Sequence, residues 1–443
     1  MAAAKLNALS TSRVRQRVVV IGGGFAGINA AISLADLPVD VTLVDRKNYH
    51  TFQPLLYQVA LAVLSPADIA QPIRSILRDH PNIEVLMDEA VGFDLDQRHV
   101  RLKTGAVLIY DYVIVATGST HSYFGHDDWA KFAPGLKTVE DATEIRRRVL
   151  LAFELAERHM LERGTHPPLN FVIVGGGPTG VELAGAISDI ARLYMRNNFR
   201  HIDTKQAKVI ILEGSPHVLG MYPDDLQRKA RKQLEALGVE LRTSAQVSDI
   251  QPGYVMVGDE RIDAIVTLWA AGVQASPLGK ILGFETDKKG CVLVDEHLNP
   301  KGHPEIFICG DLAHVEQNGK QLPGVAQPAM QMGTYAARRI GMLVGRAAGS
   351  EGRAQKAFHY FDKGDMATIG RKAAVARIEW PFKAHWSGFM AWFAWLMVHI
   401  FFLIGFRNRL SVFRQWAWTY LTLQDGARLI TGSQDLPGWK EGD

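Results

Sequence analysis

Residues 18–27 read VVVIGGGFAG, and residues 171–180 read FVIVGGGPTG. An apolar strand, a run of glycines and a helix of small residues thus occur twice in one chain. Each copy continues alike: residues 110–119 read YDYVIVATGS and residues 263–272 read DAIVTLWAAG, apolar strands that both end in a small-residue turn. In each copy an acid closes the second strand, Asp45 after VTLV and Glu213 after KVIIL. Self-similarity of this kind marks a duplicated structural unit. The fold it predicts is α/β, with two Rossmann-type domains.

In the first copy Gly22, Gly24 and Gly27 fit the spacing GxGxxG. The first glycine makes the tight turn, the second lets backbone N–H groups approach a pyrophosphate, and the third lets helix and strand pack closely. Unpaired N–H groups and the helix dipole then favour negative charge at that helix start. Asp45, about twenty residues on, suits a hydrogen bond from a ribose hydroxyl. Gly175, Gly177 and Gly180 repeat the pattern, with Glu213 in the ribose position. A carboxylate there repels a 2′-phosphate, and no arginine follows it directly, so NADH is expected over NADPH.

Two dinucleotide sites need two occupants, and hydride exchange between a nicotinamide and a flavin supplies a reason for the pairing. Asp311, at the end of FICGD (residues 307–311), suits the ribityl hydroxyls of FAD. Thr117, Gly118 and Gly310 join it as candidate FAD contacts, and Gly272 holds the matching turn of the NADH copy. The expected partition is a discontinuous FAD domain, residues 14–122 and 281–372, with an NADH domain inserted at 123–280. A C-terminal segment, 373–443, follows.

With 443 residues, 47% apolar and 21% charged, the chain is long enough for two or three folded domains. A net charge of +3 forms no dense basic stripe, which sets nucleic acid aside. Only Cys291 and Cys309 are present, far apart and in no CxxC spacing, so neither a disulfide scaffold nor a metal site is expected. The opening MAAAKLNALSTSRVRQR lacks the apolar stretch of a secretory signal. Its Arg/Ser content without acid is similar to a transit peptide, but the segment is very short for that purpose.

Residues 388–406, GFMAWFAWLMVHIFFLIGF, carry no formal charge over a length that would suit a membrane span. Trp392, Trp395 and His399 would then lie at central depth, whereas such rings prefer the interface. The following stretch mixes Arg407, Arg409 and Arg414 with Trp416, Trp418 and Tyr420. That pattern suits a helix lying in the headgroup layer, so attachment to one leaflet is expected, with a span and a soluble dimer interface as alternatives.

Taken with NYHTFQPLLYQVA at 48–60, GGGPTGVELAG at 175–185 and AQPAMQ at 326–331, the chain resembles the type II NADH dehydrogenases. These are the non-pumping NADH:quinone oxidoreductases of respiratory membranes. The resemblance implies FAD and NADH as cofactors, a membrane quinone (ubiquinone or menaquinone) as acceptor, and a lipid surface as partner. It implies peripheral, monotopic attachment at the cytoplasmic face of the inner membrane, and it leaves a homodimer open. In that family the AQxxxQ stretch borders flavin and quinone, which carries over to Ala326, Gln327 and Gln331. Four residues apart, the two glutamines share a helical face and offer amide donors to a quinone carbonyl. Glu182, placed in the first turn of the second glycine-led helix, resembles the family's acid near nicotinamide and flavin. Paired redox cysteines, used by disulfide reductases and sulfide:quinone oxidoreductases of related fold, are missing beside 48–60. A soluble ferredoxin reductase and a flavoprotein redox sensor are the competing readings.

Overall fold

The computed structural model describes residues 15–166, 168–347, 356–422 and 427–439. The leader-like residues 1–14 and the side chain of Arg407 lie outside the described residues. In chain order, the strands that position the site are β1 (Gln16–Ile21), β2 (Val39–Asp45), β3 (Ile83–Met87), β4 (Tyr112–Val115), β5 (Asn170–Val174), β6 (Lys208–Glu213), β7 (Val239–Thr243), β8 (Val266–Trp269), β9 (Ile306–Ile308), β10 (Gly364–Thr368), β11 (Ala374–Ile378) and β12 (Ala384–Ser387). The helices are α1 (Phe25–Leu34), α2 (Val139–Arg163), α3 (Pro178–Asp189), α4 (Ala326–Ala347), α5 (Phe389–Phe402) and α6 (Phe406–Thr422).

Contacts group the chain into two compact units. The first unit takes the described residues up to 50, with 72–119 and 275–360. Its parallel sheet runs in the order β9-β4-β1-β2-β3, with Ile21 level with Val44 on one side and Val115 on the other. Val18 to Ile21 are all buried, as expected of a strand covered on both faces. Helix α4 packs closely on α1: a Cβ at Gly333 would lie 2.1 Å from the Ala26 carbonyl oxygen. The strand order reverses at β1, and in such sheets ligands bind beyond the carboxyl ends at the reversal.

The second unit takes 51–71, 120–274 and the described residues from 361 on. It repeats the parallel arrangement in the order β7-β6-β5-β8, with Val174 level with Leu212 and Trp269. The grouping differs from the expected partition in placing 51–71, 120–122, 361–372 and the described part of the C-terminal segment with the NADH half, and 275–280 with the FAD half. The reason is long-range bonding: Arg146 of α2 donates to the carbonyls of Val59 and, at 2.9 Å, Leu64, and the Tyr57 hydroxyl meets Thr368 Oγ1 at 3.0 Å.

The C-terminal part of this unit begins with the antiparallel sheet β10-β11-β12. DKGD (362–365) leads into β10, and the reversal between β10 and β11 falls at 369–373. Helix α5 covers the sheet through Ala391 and Trp392 against Ala374 and Ala376. The apolar run 388–406 is not one helix. It stops at Leu403, which is extended, and turns at Gly405, where φ is +87°. Fourteen residues at 1.5 Å each reach about 21 Å, short of the roughly 30 Å hydrocarbon core. Among the described residues no helix is long and apolar enough to cross a membrane. Trp392 and Trp395 also turn inward and are buried, so their rings pack on protein rather than lying in a headgroup layer.

Candidate functional site

The two glycine turns are built alike, atom for atom. In the first unit Gly22 N–H donates to Val44 O at 2.8 Å, and in the second Gly175 N–H donates to Leu212 O at 2.8 Å. Gly22 and Gly175 have φ of +104° and +107°, a region that disfavours other residues. A Cβ at Gly27 would stand 1.7 Å from Gly22 O, and one at Gly180 would stand 1.9 Å from Gly175 O. Both positions therefore require glycine. At Gly24 and Gly177, which start α1 and α3, a Cβ would meet nothing within 4 Å, and neither helix has a side-chain cap. Open space in front of uncapped N–H groups is what a pyrophosphate needs.

The acids complete the parallel. Asp45 accepts from Gly23 N–H at 2.6 Å and Lys47 N–H at 2.7 Å. Glu213 accepts from Gly176 N–H at 2.6 Å and Ser215 N–H at 2.7 Å. Each carboxylate is thus held at a strand end by two backbone donors.

Around the first cradle the strand ends bring the expected residues to one edge. Thr117 and Gly118 follow β4, and Gly310 and Asp311 follow β9, whose strands pair side by side. Ser119 Oγ donates to Asp311 Oδ2 at 2.6 Å. Ala326 begins α4, Gln327 falls in its first turn, and Gln331 lies one turn on, with both glutamines partly exposed. Two buried polar atoms at this edge have no partner among the described residues, Thr117 Oγ1 and His50 Nε2. His50 escaped the sequence reading, since a lone histidine in NYHTF carries no motif. Its Nδ1 lies 2.9 Å from the Gly23 carbonyl and its ring packs edge-on against Phe25. Burial lowers its pKa, with the Gly23 bond and Asp45 pulling the other way. A neutral ring and an orphaned hydroxyl beside an open helix start fit a polar dinucleotide such as FAD.

Both cysteines sit in this unit as buried thiols. Burial raises Cys291 to about 11 and pushes Cys309 higher still. Neither is a thiolate at neutral pH, so they act as packing residues.

In the second unit Gly272 follows β8, where a Cβ would meet the Phe124 ring at 2.7 Å and Ser122 O at 2.9 Å. Its small size is thus already required by protein packing. Glu182 is the fifth residue of α3, one past the first turn, which contains no acid. That corrects the expected first-turn placement and weakens any account of Glu182 as a helix-dipole carboxylate. Crowding by protein atoms raises its pKa to about 8, opposed by a hydrogen bond from the backbone of Thr368. A hydrogen-bonded chain continues from Thr368. Trp416 Nε1 can only donate, so Gln58 Oε1 accepts, and Gln58 Nε2 in turn donates to the Tyr57 hydroxyl at 3.0 Å. The Tyr57 hydroxyl meets Thr368 Oγ1 at 3.0 Å, where either oxygen can be the donor.

Comparison with known proteins agrees with this geometry. Residues 16–333 match the family model described as pyridine nucleotide-disulphide oxidoreductase, and residues 363–425 match that of the NDH2 C-terminal domain. The Mycobacterium tuberculosis type II NADH:quinone oxidoreductase NdhA is 42% identical over 431 residues, spanning 94% of this chain and 90% of the relative. The type II NADH:quinone oxidoreductase Ndh of the same organism is 41% identical, spanning 95% and 91%. The solved structure of NDH2 from Plasmodium falciparum in complex with NADH superposes with a TM-score of 0.80 at 19% identity, covering 94% of this chain and all of that one. With two equivalent dinucleotide cradles, a matching C-terminal domain and relatives of this identity along nearly its whole length, the chain belongs to the type II NADH:quinone oxidoreductase family.

Proposed function

We propose that the chain is a respiratory enzyme that oxidises NADH and reduces a membrane quinone through FAD, without pumping protons. The observation that carries this reading is the pair of equivalent cradles, each with an open helix start and a strand-end acid. When bound, FAD supplies the means to accept a hydride from NADH and release two electrons to quinone. The chain's own residues bind, orient and manage protons. Gly22, Gly24, Gly27, Asp45, Thr117, Gly118, Gly310, Asp311 and Ala326 are assigned to FAD, and Gly175, Gly177, Gly180, Glu213 and Gly272 to NADH. Gln327 and Gln331 offer amide donors to the quinone. Glu182, protonated near neutral pH, holds a proton that quinone reduction consumes.

Attachment to one leaflet at the cytoplasmic face completes the proposal. Phe389, Phe393, Met397 and Phe401 recur every four residues along α5 and are all exposed. Such a stripe opposite a packed face suits a helix lying in the membrane plane. Arg409 and Arg414 on α6 add charge that can meet anionic headgroups. NADH is a cytoplasmic reductant, which sets the side of the membrane. The purified protein should release FAD on denaturation and oxidise NADH rapidly with quinone, and slowly with ferredoxin or no acceptor. Equal rates with ferredoxin would instead favour the soluble reductase, and negligible turnover with any acceptor the redox sensor.

A further inference from the structure

The sheet that supports α5 has an end whose composition its packing does not explain. Gly364 pairs with Ile378, and Ile378 with Ala384, which gathers 361–363 and 379–383 at one end. Phe361, Trp380 and Phe382 are exposed there at 48%, 57% and 53%. Phe361 and Trp380 meet edge-on at 6.1 Å, and Phe382 packs against Trp386 at 6.1 Å. Lys363 Nζ stands 5.5 Å over the ring of Phe402, the last residue of α5. The aromatic end is therefore continuous with the last turn of α5, where Phe401 is 68% exposed.

We infer that this sheet end is a second lipid-contacting element, which places Phe361, Trp380 and Phe382 at the boundary between headgroups and acyl chains. The inference rests on the membrane attachment proposed above and extends it from helices to loops. Aromatic rings favour that boundary, and lysine stems can lie along it with their charges in water. The charges decide what kind of contact it is. Asp362, Asp365 and Glu379 all pair with Arg377, and Glu379 also with Lys383, leaving Lys363 as the remaining cation of a balanced group. Binding here is driven by ring burial and depends little on salt or on anionic lipid.

The test uses the full-length, FAD-loaded protein and two kinds of vesicle, phosphatidylcholine alone and phosphatidylcholine with one third phosphatidylglycerol. Trp380→Ser combined with Phe382→Ser should weaken partitioning about tenfold or more on both kinds, at low and high salt alike. Phe393→Ser combined with Phe401→Ser reports separately on the α5 stripe. If the sheet-end variant partitions normally while the stripe variant falls off, the inference is overturned and the helical attachment stands. If neither variant changes partitioning, the membrane reading itself fails. Loss of self-association without loss of partitioning would reassign the rings to a contact between two copies, again overturning the inference. Hydrogen exchange on the unmodified protein covers the case of a misfolded variant: vesicles should protect the amides of Glu379, Trp380, Phe382 and Lys383, and unchanged exchange there refutes the proposal.

Discussion

Replacing Glu182 with glutamine isolates an acid whose ionisation the fold resists. Burial raises its pKa from 4.5 to about 8, with the Thr368 backbone bond opposing. The sign follows from linkage. A group that holds its proton more tightly in the folded state contributes stability that is complete below pH 4.5 and is lost as pH rises through about 8. Each pKa unit corresponds to about 1.4 kcal/mol, so wild-type protein should lose about 3 to 4 kcal/mol from this group between pH 5 and 8. Glu182→Gln has no such titration. Denaturant unfolding of both proteins at several pH values, with FAD in the same fixed excess, should show the difference between them moving by that amount in favour of the variant. A difference that stays constant from pH 5 to 8 would mean that Glu182 is already ionised, and its role as a proton holder would fall. The kinetic counterpart is a quinone reaction that slows above about pH 8 in wild type and lacks that limb in the variant.

The glycine cradles predict a clean separation of cofactors. Gly27→Ala should yield protein with little flavin absorbance, since its methyl would stand 1.7 Å from Gly22 O, whereas Gly180→Ala should stay yellow but resist reduction by NADH. Glu213→Gln should narrow the preference for NADH over NADPH in steady-state kinetics, and a wild type equally fast with both would displace Glu213 from the ribose site. Gln331→Ala should slow quinone turnover while stopped-flow reduction by NADH stays near normal; equal slowing of both halves would move Gln331 out of the quinone's reach.

Local patterns carried the nucleotide half of the molecule. The requirement for glycine at Gly27 and Gly180 arises within one strand–turn–helix, so spacing exposes it; at Gly22 and Gly175 the positive φ is equally local, but the backbone of Ala116 and Ala270, distant in sequence, also closes the space. Asp45 and Glu213 were equally legible because a strand end fixes them. The membrane segment was legible in composition but not in conformation. Nineteen uncharged residues read as one continuous candidate span, whereas the break at Leu403–Gly405 makes a 14-residue helix, and packing turns Trp392 and Trp395 inward. Which rings face protein depends on the sheet beneath α5, and hydropathy contains no information about that.

Arg146, Arg147 and Arg148 show the same limit most sharply. No motif singles out this run, yet all three side chains are buried. Successive helical residues point about 100° apart, so three in a row reach three different loops. Arg146 donates to the carbonyls of Val59 and Leu64, with Leu64 at 2.9 Å. Arg147 donates to Ser433 and Asp435 at 2.8 and 2.7 Å, and Arg148 to Phe132 and Lys131 at 3.0 Å each. Glu144 neutralises the latter two through bonds of 2.6 to 2.7 Å, while Arg146 has only carbonyl dipoles, and burial accordingly lowers its pKa. A guanidinium is suited to this task because its planar fork satisfies several carbonyls at once and stays charged. The segment held by Arg146 starts beside Tyr57 and Gln58, which join Thr368 to Trp416 of α6. The residues that shape the surroundings of Glu182 therefore depend on α2, β10 and the C-terminal helix together. No window of sequence contains that combination, which is why the raised pKa of Glu182 could not be read from the sequence.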